Sequence, residues 1–365
     1  MKNIVLIEDI KNSKVIVRVN YDLPSLKNPE RIIDSLKSIK LLLNNGNKLL
    51  IITHWKRPRE YDNSLSTQNM VSLIDQVFES NKILSKILFI KSIKDLNFEF
   101  SNTNILDNIR FDPRESSKDE TVMFELANEI AQGFDYFVDE AFPLSHRKTA
   151  TNYSIKKILP FAFGVSYLDE ESKISQLIEN TGEFHVIVGG AKMETKLDLI
   201  NSIIEHCDRI YIGGLLCFTF LEAKGIRVNS NLSEKNFLDI ATDLLQKYPH
   251  KIYLPTDFNL DQNKNPLDIG SLTVRDWSQK LKTAKRIFWN GPLGKTELEE
   301  FSKGTVFIAN AVIDSRAYSV IGGGDTVASL NADLIKSFNF VSMGGGATLN
   351  YLVQILNKKS HKNLN

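Results

Sequence analysis

Between Ser319 and Leu330 the chain reads SVIGGGDTVASL: a short apolar run, three consecutive glycines, then Asp325 and Thr326 ahead of helix-compatible residues. Glycine has no Cβ, so Gly322, Gly323 and Gly324 let the backbone approach a bulky ligand and take positive φ. The unpaired N–H groups of a helix start favour anions, and the guest these features fit is a phosphate. The alternative is an ordinary strand-to-helix turn with Asp325 or Thr326 as N-cap. The rest of the second half favours the phosphate. Its apolar runs end in VGGAK, IGGLL, WNGPLG, IGGGDT and MGGGAT. Open parallel sheets bind ligands beyond the carboxyl ends of their strands, so five such loops on one edge make a nucleotide cradle.

GGAKMETKLD adds Lys192 and Lys196 just past a Gly-Gly turn. Placed at i and i+4 they share a helix face, where two ammonium groups would point at one polyphosphate; the alternative is a solvated surface pair. The first half carries basic groups in its turn segments instead: Arg18, Arg31, His54, Arg57, Arg110, His146 and Arg147. Each alone reads as surface charge. Gathered on one sheet edge, the guanidinium groups form bidentate clamps for phosphate and carboxylate. Two motifs are excluded. Gly294-Lys295-Thr296 lacks the first glycine of a P-loop, which would fall at Trp289. GGGDTV and GGGATL miss the sixth position of the dinucleotide fingerprint, which argues against a hydride-transfer enzyme using NAD.

The elements that must position these residues are short β-branched runs, each followed by a polar turn and a longer amphipathic stretch: KVIVRVN, KLLIITH, KILFIKSI, TNILDNI, YFVDEAF, HVIVGGA, RIYIGGL, KIYLPTD, RIFWNGP and YSVIGGG. Wholly apolar runs of this length read as strands buried on both faces, with helical crossovers between them. The class is α/β, two Rossmann-like lobes with parallel sheets. At 365 residues two domains are expected. The charged segment Tyr167–Phe184 separates the strand-rich first half from the glycine-rich second, and the polar end NKKSHKNLN reads as a frayed tail.

With 45 Lys and Arg against 44 Asp and Glu, the net charge of +1 gives no field for nucleic acid or anionic membrane. Two cysteines, Cys207 and Cys217, sit in apolar segments and make neither a disulfide framework nor a multi-cysteine metal site. The first apolar run has only four residues before Glu8 and Asp9, too short for a signal or a membrane span. A cytoplasmic setting is expected.

In their order, RVNYDLP, THWKRP, DNIRF, DEAF…SHR, GGAKMETK, WNGPLGKTE, IGGGDT and MGGGAT make the chain resemble the phosphoglycerate kinase family, from about Val15 to about Leu352. The resemblance implies two lobes joined by a hinge helix that close for reaction. Residues 1–167 would bind the acid, with 347–365 packing back on them; 168–183 would be the hinge helix and 184–346 the nucleotide lobe. It implies reversible phosphoryl transfer between 1,3-bisphosphoglycerate and Mg-ADP, with Mg²⁺ as cofactor and a monomer as the state. Arg18, Asn20, Asp22, Arg31, His54, Arg57, Arg110, His146 and Arg147 would surround the phosphoglycerate. Lys192 and Lys196 would contact the nucleotide phosphates and the group in flight, with Arg31, Lys192, Gly323 and Gly345 at the transfer point. Gly190, Ala191, Gly213, Gly214, Asn290, Pro292, Gly322, Gly324 and Thr326 would line the nucleotide site, Glu297 would hold the ribose, and Asp325 would meet the magnesium.

Several positions depart from the family pattern. Asn20-Tyr21-Asp22 exchanges the usual carboxylate and amide, Lys56 and Leu215 stand where glycines are usual, and Asp139-Glu140 replaces Asn-Asp. The exchange at Asn20 and Asp22 and Lys56 motivate one alternative, a diverged kinase of another small phosphorylated or carboxylated acid; a second, a non-catalytic nucleotide-binding relative, would be favoured by loss of Lys192, Asp325 or the second-half glycines, all of which are present.

Overall fold

The computed structural model describes residues 1–96, 102–226, 232–342 and 344–362; Met343 of the last glycine motif and residues 363–365 lie outside it. The chain divides into two units, Met1–Glu170 and Glu171–Asn365. The helix Val165–Glu179 contains the division and covers most of the charged segment noted above.

In the first unit, strands β1 (Lys14–Arg18), β2 (Lys48–Ile52), β3 (Ile87–Ile90), β4 (Thr103–Leu106), β5 (Tyr136–Asp139) and β6 (Phe161–Phe163) form one parallel sheet in the order β3-β4-β2-β1-β5-β6. Successive side chains of a strand point to opposite faces. Val15 and Val17 therefore enter a core with Ile32, Leu36 and Ile39 of the helix Glu30–Asn44. Ile16 enters the opposite core with Met123, Leu126 and Ile130 of the helix Glu120–Ala131. Burial on both faces is why these strands read as unbroken apolar runs.

The second unit repeats the plan. Strands β7 (Phe184–Val188), β8 (Arg209–Ile212), β9 (Ile252–Tyr253), β12 (Arg286–Asn290), β13 (Tyr318–Gly322) and β14 (Phe340–Ser342) pair in parallel in the order β14-β13-β12-β7-β8-β9. A separate antiparallel hairpin joins β10 (Phe258–Leu260) to β11 (Pro266–Ile269). Chain order reverses between β7 and β12, and such a switch point is where an open sheet leaves a crevice beyond its strand ends. All ten apolar runs contain strands. The sequence does not reveal β6, β14 or the hairpin, because runs of three or four residues give too little alternation to separate strand from loop. The polar end is partly helical: the helix Gly346–Lys362, seated by buried Leu352 and Leu356, runs into it as far as Lys362 and packs on the helix Leu197–Ile203, while residues 363–365 lie outside the described residues.

Two departures near the end of β5 are load points of the first unit. Asp139 is fully buried and pairs with Lys156 at 2.5 Å. Glu140 accepts from Ser38 Oγ at 2.9 Å and from the Ser166 N–H at 3.2 Å, capping the first turn of the helix Val165–Glu179. Burial pushes the Glu140 carboxyl up to about 8. Unfolded, the same group titrates near 4.3, so the folded chain retains a proton that the unfolded chain has lost. Its contribution is fully present below about pH 4.3 and disappears as pH rises through about 8. Glu140→Gln should therefore gain stability relative to the parent progressively from pH 5 to 8. Melting curves for the two chains at pH 5, 6.5 and 8 check this, and a constant gap between them would contradict it.

Candidate functional site

In the first unit the basic residues meet at the carboxyl ends of β1 and β2. Arg18, the last residue of β1, is 2% exposed. Its Nε donates to Thr151 Oγ1 at 2.9 Å and its Nη1 to the carbonyl of Val19 at 2.6 Å. Nη2 lies 3.8 Å from the buried carboxylate Glu115 and 3.3 Å from His54 Nδ1. Burial pulls Arg18 down to about 10, opposed by Glu115, so it stays charged at neutral pH. Because arginine only donates, His54 Nδ1 accepts and its proton sits on Nε2, 3.8 Å from Asp22 Oδ2. Burial, then the charges of Arg18, Arg110, Arg147 and Arg31, hold His54 far below its ordinary pKa. The ring is a neutral, oriented donor. Arg18 thus stands behind the cluster and steadies it.

The face of the cluster belongs to Arg31, Arg57, Arg110 and Arg147. Arg31 donates to the Asp22 carbonyl, and Arg110 donates to the Lys56 carbonyl. Burial lowers the pKa of Arg110 and Arg147; the charge of Arg147 adds to this at Arg110, and that of Arg57 at Arg147. Like charges held this close are a standing invitation to an anion. Arg57 and Arg110 line a cavity of about 390 Å³ with Pro58, Arg59 and Ser116. His146 Nε2 accepts from Arg147 Nε at 3.1 Å, so this ring too is neutral. Asn20 is half-buried and its amide makes no hydrogen bond among the described residues. Asn108, which the sequence reading passed over, bolts the β2 loop down through Nδ2 to the Trp55 carbonyl at 2.8 Å and Oδ1 from the Trp55 N–H at 3.2 Å. Its place two residues past the end of β4 was the available signal.

In the second unit the strand-end glycines divide into two kinds. A Cβ on Gly189 would overlap the Gly291 and Pro292 carbonyls, one on Gly214 would overlap the Gly190 backbone, and one on Gly213 would strike Leu293. These glycines let three loops pack backbone to backbone at the switch point, with the Gly190 N–H donating to the Pro292 carbonyl at 2.9 Å. Gly324 and Gly345 differ: nothing lies within 4 Å of where a Cβ would stand. Gly323 (φ +97°) and Gly345 (φ +53°) hold left-handed conformations beside that open space.

Asn290, buried at the end of β12, donates through Nδ2 to the Gly322 carbonyl at 2.8 Å and accepts from Lys196 Nζ. Burial lowers the Lys196 ammonium, against the charge of nearby Asp325. Thr326 is fully buried, its hydroxyl accepting from the Gly291 N–H at 2.7 Å and donating to the Gly322 carbonyl at 3.0 Å. It ties the loops after β12 and β13 together. Asp325 and Glu297 are exposed. The N-cap of the short helix Gly324–Ala328 is Gly323, with no side-chain cap.

One expectation fails. Lys192 and Lys196 do not share a helix face, because the helix begins at Leu197. Met193 is fully buried and donates its N–H to Glu234 Oε1 at 2.7 Å, so that N–H is taken by a side chain from a distant segment instead of a carbonyl one turn back. Lys192 is exposed on that loop, while Lys196 is half-buried.

Guanidinium groups on one sheet end, and open glycines with two lysines and a carboxylate on another, describe a two-lobed phosphotransferase. A family model described as phosphoglycerate kinase matches residues 5–354. Phosphoglycerate kinase of Finegoldia magna is 32% identical, covering 94% of this chain and 94% of its own length. That of Corynebacterium glutamicum (strain R) is 34% identical over the same shares. The solved structure of phosphoglycerate kinase from Coxiella burnetii superposes with a TM-score of 0.81 at 27% identity, covering 96% of this chain and 97% of that one. The chain belongs to the phosphoglycerate kinase family. It is accordingly a kinase, a phosphotransferase with a carboxyl group as acceptor.

Proposed function

We infer that this chain catalyses reversible transfer of a phosphoryl group between 1,3-bisphosphoglycerate and ADP, giving 3-phosphoglycerate and ATP. A β-phosphate oxygen of ADP forms the new P–O bond as the bond from phosphorus to the acyl oxygen breaks, and the carboxylate leaves. Such transfer asks little covalent work of side chains and depends on alignment and charge stabilisation. The observation that carries the reading is the convergence of Arg31, Arg57, Arg110 and Arg147 on one sheet end.

In this reading Arg57, Arg110, His146 and Arg147 grip the phosphate and carboxylate of the acid. Asn20 and the Nε2–H of His54 face its polar groups. Arg31 and Lys192 meet the moving phosphoryl group, with backbone N–H groups around Gly323 and Gly345. Lys196, held by Asn290, contacts the nucleotide phosphates, Pro292 lines the site and Glu297 holds the ribose. Among the described residues no three acidic, histidine or cysteine side chains gather to hold a metal. One exposed carboxylate, Asp325, beside open glycines fits an ion that keeps most of its ligands from phosphate and water. Magnesium so carried neutralises charge on the phosphate oxygens. Among the described residues no helix is long and apolar enough to cross a membrane; the proposed setting is cytoplasmic and the proposed state a monomer.

The test is a coupled assay with 3-phosphoglycerate, first with ATP and then with GTP. Robust turnover with ATP is expected. No turnover with 3-phosphoglycerate, beside turnover with a different small acid, would establish the diverged-kinase reading that the exchange at Asn20 and Asp22 keeps alive.

A further inference from the structure

Lys56, in the loop after β2, has φ +56°. That region is free for glycine and strained for any residue with a Cβ, so something must hold it. The Lys56 N–H donates to Asp22 Oδ1 at 2.7 Å. Its carbonyl accepts from Arg110 Nη1. The Lys56 backbone is therefore a bridge, with a carboxylate from the loop after β1 on one side and a guanidinium from beyond β4 on the other. The residue before it is already fixed, since Trp55 is buried, is bonded to Asn108 in both directions and donates from Nε1 to the Leu23 carbonyl at 3.0 Å. The freedom left in the loop is the Lys56 conformation itself.

We propose that Asp22 is a positioning residue: it holds Lys56 in its left-handed turn and, through the Lys56 carbonyl, sets the direction of the Arg110 guanidinium. The exchange at Asn20 and Asp22 and the lysine at position 56 are then one device, in which a carboxylate supplies the restraint that a glycine at position 56 makes unnecessary. The charge logic agrees. A carboxylate touching the acid directly would repel its phosphate, whereas one oxygen of Asp22 is committed to a backbone N–H and the other faces His54 Nε2 at 3.8 Å and Arg31 Nη1 at 4.0 Å. The ligand-facing polar group in this loop is then the amide of Asn20. This inference rests on the first unit binding phosphoglycerate.

A double-mutant cycle tests it. Asp22→Ala is measured in the parent chain and in a Lys56→Gly background, with KM for 3-phosphoglycerate and kcat read separately. In the parent, KM should rise about 10-fold, the scale of one lost charge-assisted hydrogen bond, with kcat changing much less. In the Lys56→Gly background the same substitution should change KM less than about 3-fold, because the turn no longer needs the carboxylate. Equal rises in both backgrounds would mean that Asp22 acts on the substrate directly or through His54 and Arg31 rather than through Lys56, and would overturn the proposal, as would no rise in the parent. A thermal melt with the midpoint and cooperativity of the parent shows that each variant is folded, and Asp22→Ser replaces Asp22→Ala in the cycle should the latter fail to fold. A parent chain inert toward 3-phosphoglycerate would instead count against the substrate assignment.

Discussion

Replacing Lys192 with alanine is expected to lower kcat by about 10²- to 10³-fold, the effect of removing one preorganised donor from a developing negative charge. The Lys192 side chain is exposed on a loop fixed from below by buried Met193 and its bond to Glu234. Its ammonium has no hydrogen bond or ion pair among the described residues, so its loss leaves no partner unsatisfied. Melting temperature and KM for ADP should therefore stay close to those of the parent while turnover collapses. Lys196 is the contrast. Its ammonium already bonds Asn290 Oδ1, and removing it would disturb the β12 end as well as the nucleotide phosphates. Steady-state kinetics beside a thermal melt separates the two. Full activity in Lys192→Ala would remove this residue from the transfer.

The second large effect lies on stability. Arg18→Met should destabilise the chain by about 3–5 kcal/mol, because it strands Glu115 as an unpaired buried carboxylate. Both side chains are 2% exposed. Glu115 is otherwise held by the Thr151 N–H at 3.0 Å and the Thr151 hydroxyl at 2.7 Å. Burial pushes the Glu115 carboxyl up, against the charge of Arg18, so it would take up a proton more readily in the variant. Arg18→Met combined with Glu115→Met should cost less than the two single changes added, since the pair then leaves no charge behind. Unfolding in urea for the three variants gives the comparison. A stable Arg18→Met chain with only a raised KM for the acid would mean that Arg18 faces the ligand after all.

How far the sequence led can be judged at particular residues. The glycine clusters were legible as backbone-close turns, and the eight motifs in order carried the family. The basic residues of the first half were legible as types, and the parallel sheet brings them together because each lies at or beyond a strand end. The division among them was not legible. Arg18 and Arg31 look alike in sequence, yet one is buried behind His54 and the other is half-buried beside Asp22. The lysine pair misled because i, i+4 spacing implies a shared face only inside a helix, and the helix starts only at Leu197, past both lysines.

By itself the sequence determined the class, the two sets of ligand-facing residue types and the family, because apolar periodicity and glycine placement record local burial and local backbone need. Only the tertiary structure decided which glycines are walls and which are open. It alone made Lys196 and Thr326 ties between loops while leaving Lys192 exposed, and it alone coupled Lys56 to Asp22. Those outcomes depend on donors and acceptors from distant parts of the chain competing for the same backbone groups at a strand end, and no local pattern encodes which of them wins.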